Sequence, residues 1–322
     1  MIDFRYHVVS IIAVFLALAL GLFVGSTSLQ DAVVHTIDSK ANSVAKKYDA
    51  AEVQLHQTQN LLKANQNFDK ALLPYAVSGR LSGQLVSVIS APGTSDGVRK
   101  QVMTSIAAAG GTVSADIRLQ SVFGDPKQVA FLEALAARIT VPGTSGTTKA
   151  ASSAGLVAAQ LAAVLGTRPG AHPVPDATVA TVLAAYTAAK VVSLGSDVAT
   201  PRPGSLALVL GATAPPTSAD PSLVTSQQDA VLSLAADLDD SAVGAVLAAP
   251  TPAQSATTDI TAAAAAQSGL TQKLSTVTGV ETPTGQIAAV FALAGQADGI
   301  AGRYGLSPQV SPLPTATTSP TP

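Results

Sequence analysis

The sequence predicts an α/β protein: an N-terminal transmembrane helix and a coiled-coil-like helix, then a doubly wound, mainly parallel α/β domain. Three observations predict it. A long apolar run opens the chain, a stretch poor in Gly and Pro follows, and from Gln84 short β-branched runs alternate with helix-period segments. Of the 322 residues 47% are apolar but only 4% aromatic, so small aliphatic side chains must build the core.

The opening run sets the first question. Val8–Val24 is interrupted only by Ser10 and Gly21, and its extension to Leu29 gives 22 residues, enough to cross roughly 30 Å of hydrocarbon. Such a segment is either a retained anchor or a cleaved signal sequence. Its length exceeds the usual apolar region of a signal peptide and favours an anchor over residues 1–29 with a short cytoplasmic lead. Ser26 and Ser28 are the small residues that a cleavage before Leu29 would use. Arg5 is offset by Asp3, and Lys40, Lys46 and Lys47 lie on the other side, so charge does not decide orientation. Gly21 and Gly25 form a GxxxG pair that lets membrane helices approach closely, although Gly is common in such helices anyway.

Residues 30–73 read as one helix. A heptad frame places Val34, Ile37, Ala41, Val44, Tyr48, Ala51, Leu55, Thr58, Leu62, Asn65, Asp69 and Leu72 at alternating core positions. Val34, Ile37, Val44, Tyr48, Leu55 and Leu62 form the expected coiled-coil core, and the polar exceptions cluster at the end. A single helix lying on its own domain explains the same pattern. Pro74 is expected to end the helix.

The domain expected over residues 80–306 follows. "QLVSVIS" (84–90) reads as a strand, "DGVRKQVMTSIAAAGG" (96–111) as a helix with a glycine stop, and "TVSADIRL" (112–119) as a second strand. Helices are expected at about 126–139, 153–166, 176–189, 222–237 and 254–268, and a closing helix at 283–305. Strands are expected at 190–194, 205–210, 243–248 and 274–279, and a loop at 140–152. The Pro/Thr/Ser-rich end, 307–322, cannot offset ordering entropy by burial and is expected to be a disordered tail.

Chemistry-bearing patterns are scarce. A net charge of −2 gives no basis for nucleic-acid binding. There is no Cys, hence no disulfide, thiolate ligand or Cys nucleophile, and Met1 and Met103 are the only methionines, so a soft Cu(I) cluster is unavailable. The four histidines are His7, His35, His56 and His172; on one helix His35 and His56 would stand roughly 31 Å apart. "SAPGTSDG" (90–97) and "GATAPP" (211–216) occupy βα-turn positions without a phosphate-loop pattern. "DLDD" (237–240) reads as a solvated helix end. No nucleophile elbow is present, and no catalytic or cofactor-binding residue is expected.

The stretch "MIDFRYHVVSIIAVFLALALGLFVGSTSL" (1–29), with the helix after it, resembles the start of the actinobacterial copper-transport protein B (MctB-like) family. "TPTGQIAAVFALAGQADGIAGRYG" (282–305) is similar to that family's closing helix. The resemblance implies a single-pass protein of the cell membrane or envelope, its main domain extracytoplasmic, acting in copper export or homeostasis with the copper ion as transported species. It brings no ligand set to any residue here. The alternative is a non-enzymatic envelope scaffold that presents the α/β domain to a partner protein, with a homo-oligomer through residues 30–73.

Overall fold

The computed structural model describes residues 4–141, 153–171, 174–212, 220–252, 259–307 and 310–314, with the side chains of 26–39 and 153 left out. The chain divides into two compact units, Met1–Asn65 and Gln66–Pro322. The first helix, α1 (Phe4–Val77), supplies all the described residues of the first unit and the opening turns of the second.

In the second unit, α1 runs through Pro74 and stops at Val77. Proline forfeits one backbone donor, yet three further residues remain helical because the turns around it are held by packing: Leu73 and Val77 are buried. Asp69 accepts a hydrogen bond from Thr284 Oγ1 at 2.6 Å. Leu73 and Val77 follow Asp69 at four-residue intervals, so one helix face meets the domain. The helix ends where Gly79 takes a left-handed φ of 74°.

The rest is β1 (Leu85–Ser90), α2 (Asp96–Ala108), β2 (Thr112–Leu119), a 3₁₀ turn (Pro126–Gln128), α3 (Val129–Ala136), α4 (Ser153–Leu165), α5 (Asp176–Ala188), β3 (Val192–Leu194) and β4 (Leu206–Leu210). Then come α6 (Pro221–Ser241), β5 (Gly244–Ala249), α7 (Ile260–Ala266), α8 (Ser268–Thr271), β6 (Ser275–Thr278), α9 (Pro283–Ala297) and β7 (Arg303–Gly305). Side-chain caps start several helices: Asp220 accepts from the Ser222 amide at 3.0 Å, Asp259 from that of Thr261 at 2.8 Å, and Thr282 from that of Gly285 at 3.1 Å.

The strands form one sheet in the order β3-β2-β1-β4-β5-β6-β7, parallel throughout except for β3, which runs antiparallel to β2 at one edge. This is the doubly wound, mainly parallel domain the alternation predicts. Strand parity assigns the two faces. Ile89, Ala207, Val209, Ala245 and Leu247 point to a layer built from α3, α4, α5, α6 and α7. Val86, Val88, Leu206, Leu208, Val246 and Val277 point to α2, α9 and the end of α1. Between Val86 and Ser87 the β1–β2 register shifts, leaving Ser114 as the extra residue on β2.

Three expectations need correction. The closing helix is not 283–305: α9 stops at Ala297, Gly299 adopts φ 73°, and Arg303–Gly305 forms β7. The expected tail is not wholly apart from the domain, because Ser311 pairs with Tyr304 and its amide donates to the Arg303 carbonyl at 3.2 Å. Pro74 does not end its helix. The stretches 142–152, 213–219, 253–258, 308–309 and 315–322 lie outside the described residues, and with them most of the 140–152 loop, much of "GATAPP", the start of the 254–268 helix and most of the tail.

Candidate functional site

Two places hold what functional chemistry the described residues offer: the exposed N-terminal helix and a buried charge cluster at the sheet edge. In the first unit, Phe4–Gly25 is long and apolar enough to cross a membrane, the only such helix among the described residues. Its 22 residues rise roughly 33 Å, the thickness of a hydrocarbon core. Gly21 and Gly25 sit one turn apart, and a Cβ at either would meet nothing within 4 Å.

Further along α1, Val44, Tyr48, Leu55 and Leu62 are 64, 73, 56 and 56% exposed. The remaining coiled-coil positions, Val34 and Ile37, have side chains outside the described residues. Asp69, which the heptad frame puts in the core, is instead committed to Thr284. His56 Nε2 lies 3.9 Å from Glu52 Oε1 on the helix surface.

The charge cluster lies between the start of α2 and β2. Arg99 Nη1 pairs with Asp116 Oδ2, with the two side chains 2 and 0% exposed. The bulge at Ser114 helps to place Asp116: Ala115 and Ile117 enter one core layer while Asp116 turns to the α2 side. The Gly195 amide donates to the Asp116 carbonyl at 2.9 Å, and a Cβ at Gly195 would overlap the Asp116 carboxylate. Asp96 lies 3.4 Å from Arg99 Nε and 3.5 Å from Arg118 Nη1, and Asp197 lies 3.8 Å from Arg99 Nη1. Arg99 Nη2, Asp116 Oδ1 and Arg118 Nε are buried without a hydrogen-bond partner. Three carboxylates surround two guanidinium groups, so the cluster repels a free anion, and the Arg99 charge is already spent on Asp116. Its chemistry is that of a fastening between α2, β2 and the β3 edge. Sequence reasoning missed it, although Asp116 and Arg118 are two charges at alternate positions of an otherwise uncharged strand.

The sheet's topological switch point lies between β1 and β4, where open α/β sheets bind ligands. Here the strand ends are stitched together. The Ala91 amide donates to the Leu210 carbonyl at 2.8 Å, and Thr94 Oγ1 reaches the carbonyls of Ala91 at 2.8 Å and Gly211 at 3.1 Å. Ser90 Oγ is buried beneath without a partner.

The "DLDD" cluster is not uniformly solvated. Asp240 is exposed and lies 3.1 Å from Lys273, but Asp239 is buried and accepts from the Ala245 amide at 2.9 Å, which fixes the turn into β5. Burial pushes the Asp237 carboxyl up to about 6, with the Asp240 charge adding to it. Burial likewise raises Asp239 above the usual carboxylate range, against the Ala245 hydrogen bond. Burial also raises Tyr186, whose hydroxyl bonds Gln160 Oε1.

Among the described residues no group of three His, Asp or Glu side chains converges as a metal ion requires. Met103 Sδ lies 3.4 Å from Arg99 Nη1, which makes it a neighbour of a cation. The side chain of His35 and all of His172 lie outside the described residues.

Comparison with known proteins supplies what the geometry does not. Over 123 residues the chain is 32% identical to the copper transporter MctB of Mycobacterium tuberculosis (strain ATCC 25618 / H37Rv) and of Mycobacterium bovis. That match covers 38% of this chain and 39% of each relative. The copper transporter MctB of Mycobacterium leprae is 30% identical over 125 residues, 39% of both chains. The chain thus spans about two fifths of the length of the curated relatives it matches. The model of one family, described as copper transport outer membrane protein, MctB, matches residues 1–314, and the chain belongs to that family.

Proposed function

We propose that this chain is a single-pass envelope protein, held in a membrane by Phe4–Gly25, that serves the copper homeostasis for which its family is named. The observation that carries the proposal is the family match over residues 1–314, which takes in both the apolar helix and the α/β domain. Copper is cargo in this reading. One apolar helix has no polar stripe to line a path for an ion, so a single copy would act beside other membrane components rather than conduct alone. The α/β domain would stand outside the cytoplasm and has a structural role in placing the helix end, through Asp69, Leu73 and Val77.

Deleting the gene and measuring cell-associated copper tests this directly. Copper content is expected to rise and copper tolerance to fall, with both restored by the intact chain and not by a version lacking residues 4–25. Unchanged copper content and tolerance would remove the proposal.

A second reading is a non-enzymatic envelope scaffold. It is favoured by the exposed apolar side chains Val44, Tyr48, Leu55 and Leu62, and by an α/β domain whose buried Arg99 is already paired with Asp116. Recovery of one defined envelope protein with the intact chain, lost on changing that face, would support it.

A further inference from the structure

We infer that two copies of this chain pair through residues 41–62 as a parallel, in-register, two-stranded coiled coil. Its direction rests on the anchor reading above; the pairing itself rests on the helix. Ala41, Val44, Tyr48, Ala51, Leu55, Thr58 and Leu62 recur every three or four residues along α1. The four large ones are more than half exposed, on a unit whose described residues are helix alone. A seam of this spacing is buried by supercoiling two helices. Among the positions on the far side are Asn42, Lys46, Asp49, Val53, His56, Asn60 and Lys63, and of these all but Val53 are polar or charged and suit water.

Charge selects a second copy and fixes its register. Lys47 flanks the seam on one side, and Glu52, five residues later, flanks it on the other. In a parallel pair without offset, each Lys47 faces the partner copy's Glu52, which gives two symmetric ion pairs. The other flanking positions, Lys40 against Ala45 and Gln54 against Gln59, oppose no like charges. In an antiparallel pair each flank faces its own kind, and Lys47 never meets Glu52. The anchor demands the same direction, because both helices enter the membrane from the Phe4–Gly25 end. The glycine pair takes no part: at about 100° per residue, Tyr48 lies about 140° around the helix from Gly25 and about 180° from Gly21.

The absence of Cys makes the test clean. Full-length chain in its native membranes carries one new cysteine at a time and is oxidised mildly. Tyr48→Cys, Leu55→Cys and Leu62→Cys are each expected to give a disulfide-linked dimer, while Val53→Cys and Asn60→Cys are not. Only parallel, in-register helices bring three seam positions seven residues apart each to its own copy. No dimer at any of the three, a dimer at only one, or equal yields at Val53 would overturn the proposal. Lys47→Glu is expected to raise the dimer dissociation constant on the order of tenfold, and Lys47→Glu with Glu52→Lys to restore it. Failure of the double variant to restore pairing overturns the register. Gly21→Leu with Gly25→Leu should leave cross-linking unchanged; its loss would move the contact to the glycine face and overturn the proposal. Carbonate extraction of the same membranes separates the two readings. Cross-linked chain that washes off leaves the pairing standing without the anchor, and retained chain that never cross-links does the reverse.

Discussion

Arg99 and Asp116, seventeen residues apart in sequence, form an ion pair closed off from solvent between the first turn of α2 and the middle of β2. Removing one partner leaves the other charge buried and unpaired. Asp116→Ala is therefore expected to cost about 3–5 kcal/mol in chemical denaturation. Replacing both together, Arg99→Met with Asp116→Leu, should cost clearly less. A double variant no more stable than Asp116→Ala would show that the pair does not fasten the edge.

Gly195 lies against the same carboxylate, where an added Cβ would overlap it. Gly195→Ala should lower stability by about 1–3 kcal/mol, read as a fall in Tm. Gly269, in α8 with nothing within 4 Å of an added Cβ, is the matched control, and Gly269→Ala should leave Tm unchanged or higher.

Asp69 and Thr284 tie the last turns of α1 to the start of α9. Asp69→Ala and Thr284→Val are each expected to cost about 1 kcal/mol, and the double variant no more than either alone. Additive losses would mean that the two side chains act separately.

Asp237 gives the fold a pH dependence. Its carboxyl is raised from 3.8 to about 6 in the folded chain, chiefly by burial. Between those values the folded chain holds a proton that the unfolded chain has released. The contribution is therefore most favourable below about pH 4 and is lost as pH rises through about 6. Asp239, raised for the same reason, adds in the same direction. Asp237→Asn should flatten the decline in denaturation midpoint between pH 4 and 6; an unchanged slope would assign it to other groups.

Much of this architecture was legible because the sheet is built from runs with no competing period. "TVSADIRL" reads as a strand and is β2 from end to end. The closing helix reads too long in the sequence because Ala and Gly continue past Ala297, whereas the stop is local: Gly299 takes a left-handed φ of 73° and the Ile300 amide donates back to the Gly295 carbonyl at 2.8 Å. Pro74 was overread in the opposite sense, since packing of Leu73 and Val77 outweighs one lost hydrogen bond. The Arg99–Asp116 pair was invisible for another reason. Its partners belong to different elements, and only the bulge at Ser114 sets which way Asp116 turns. On the N-terminal helix the sequence did not show that Asp69, placed in the core by the heptad frame, bonds Thr284.

The two outermost strands, β3 and β7, are each three residues long. Among the described residues each therefore presents an edge of only roughly 10 Å, too short to recruit a neighbouring chain. One of them is further blunted by Ser311, whose backbone pairs beside Tyr304. Were copies to gather on a membrane surface, as proposed above, sheets would meet edge to edge more often. Margins this brief would then let helices pair without joining the domains into a fibril.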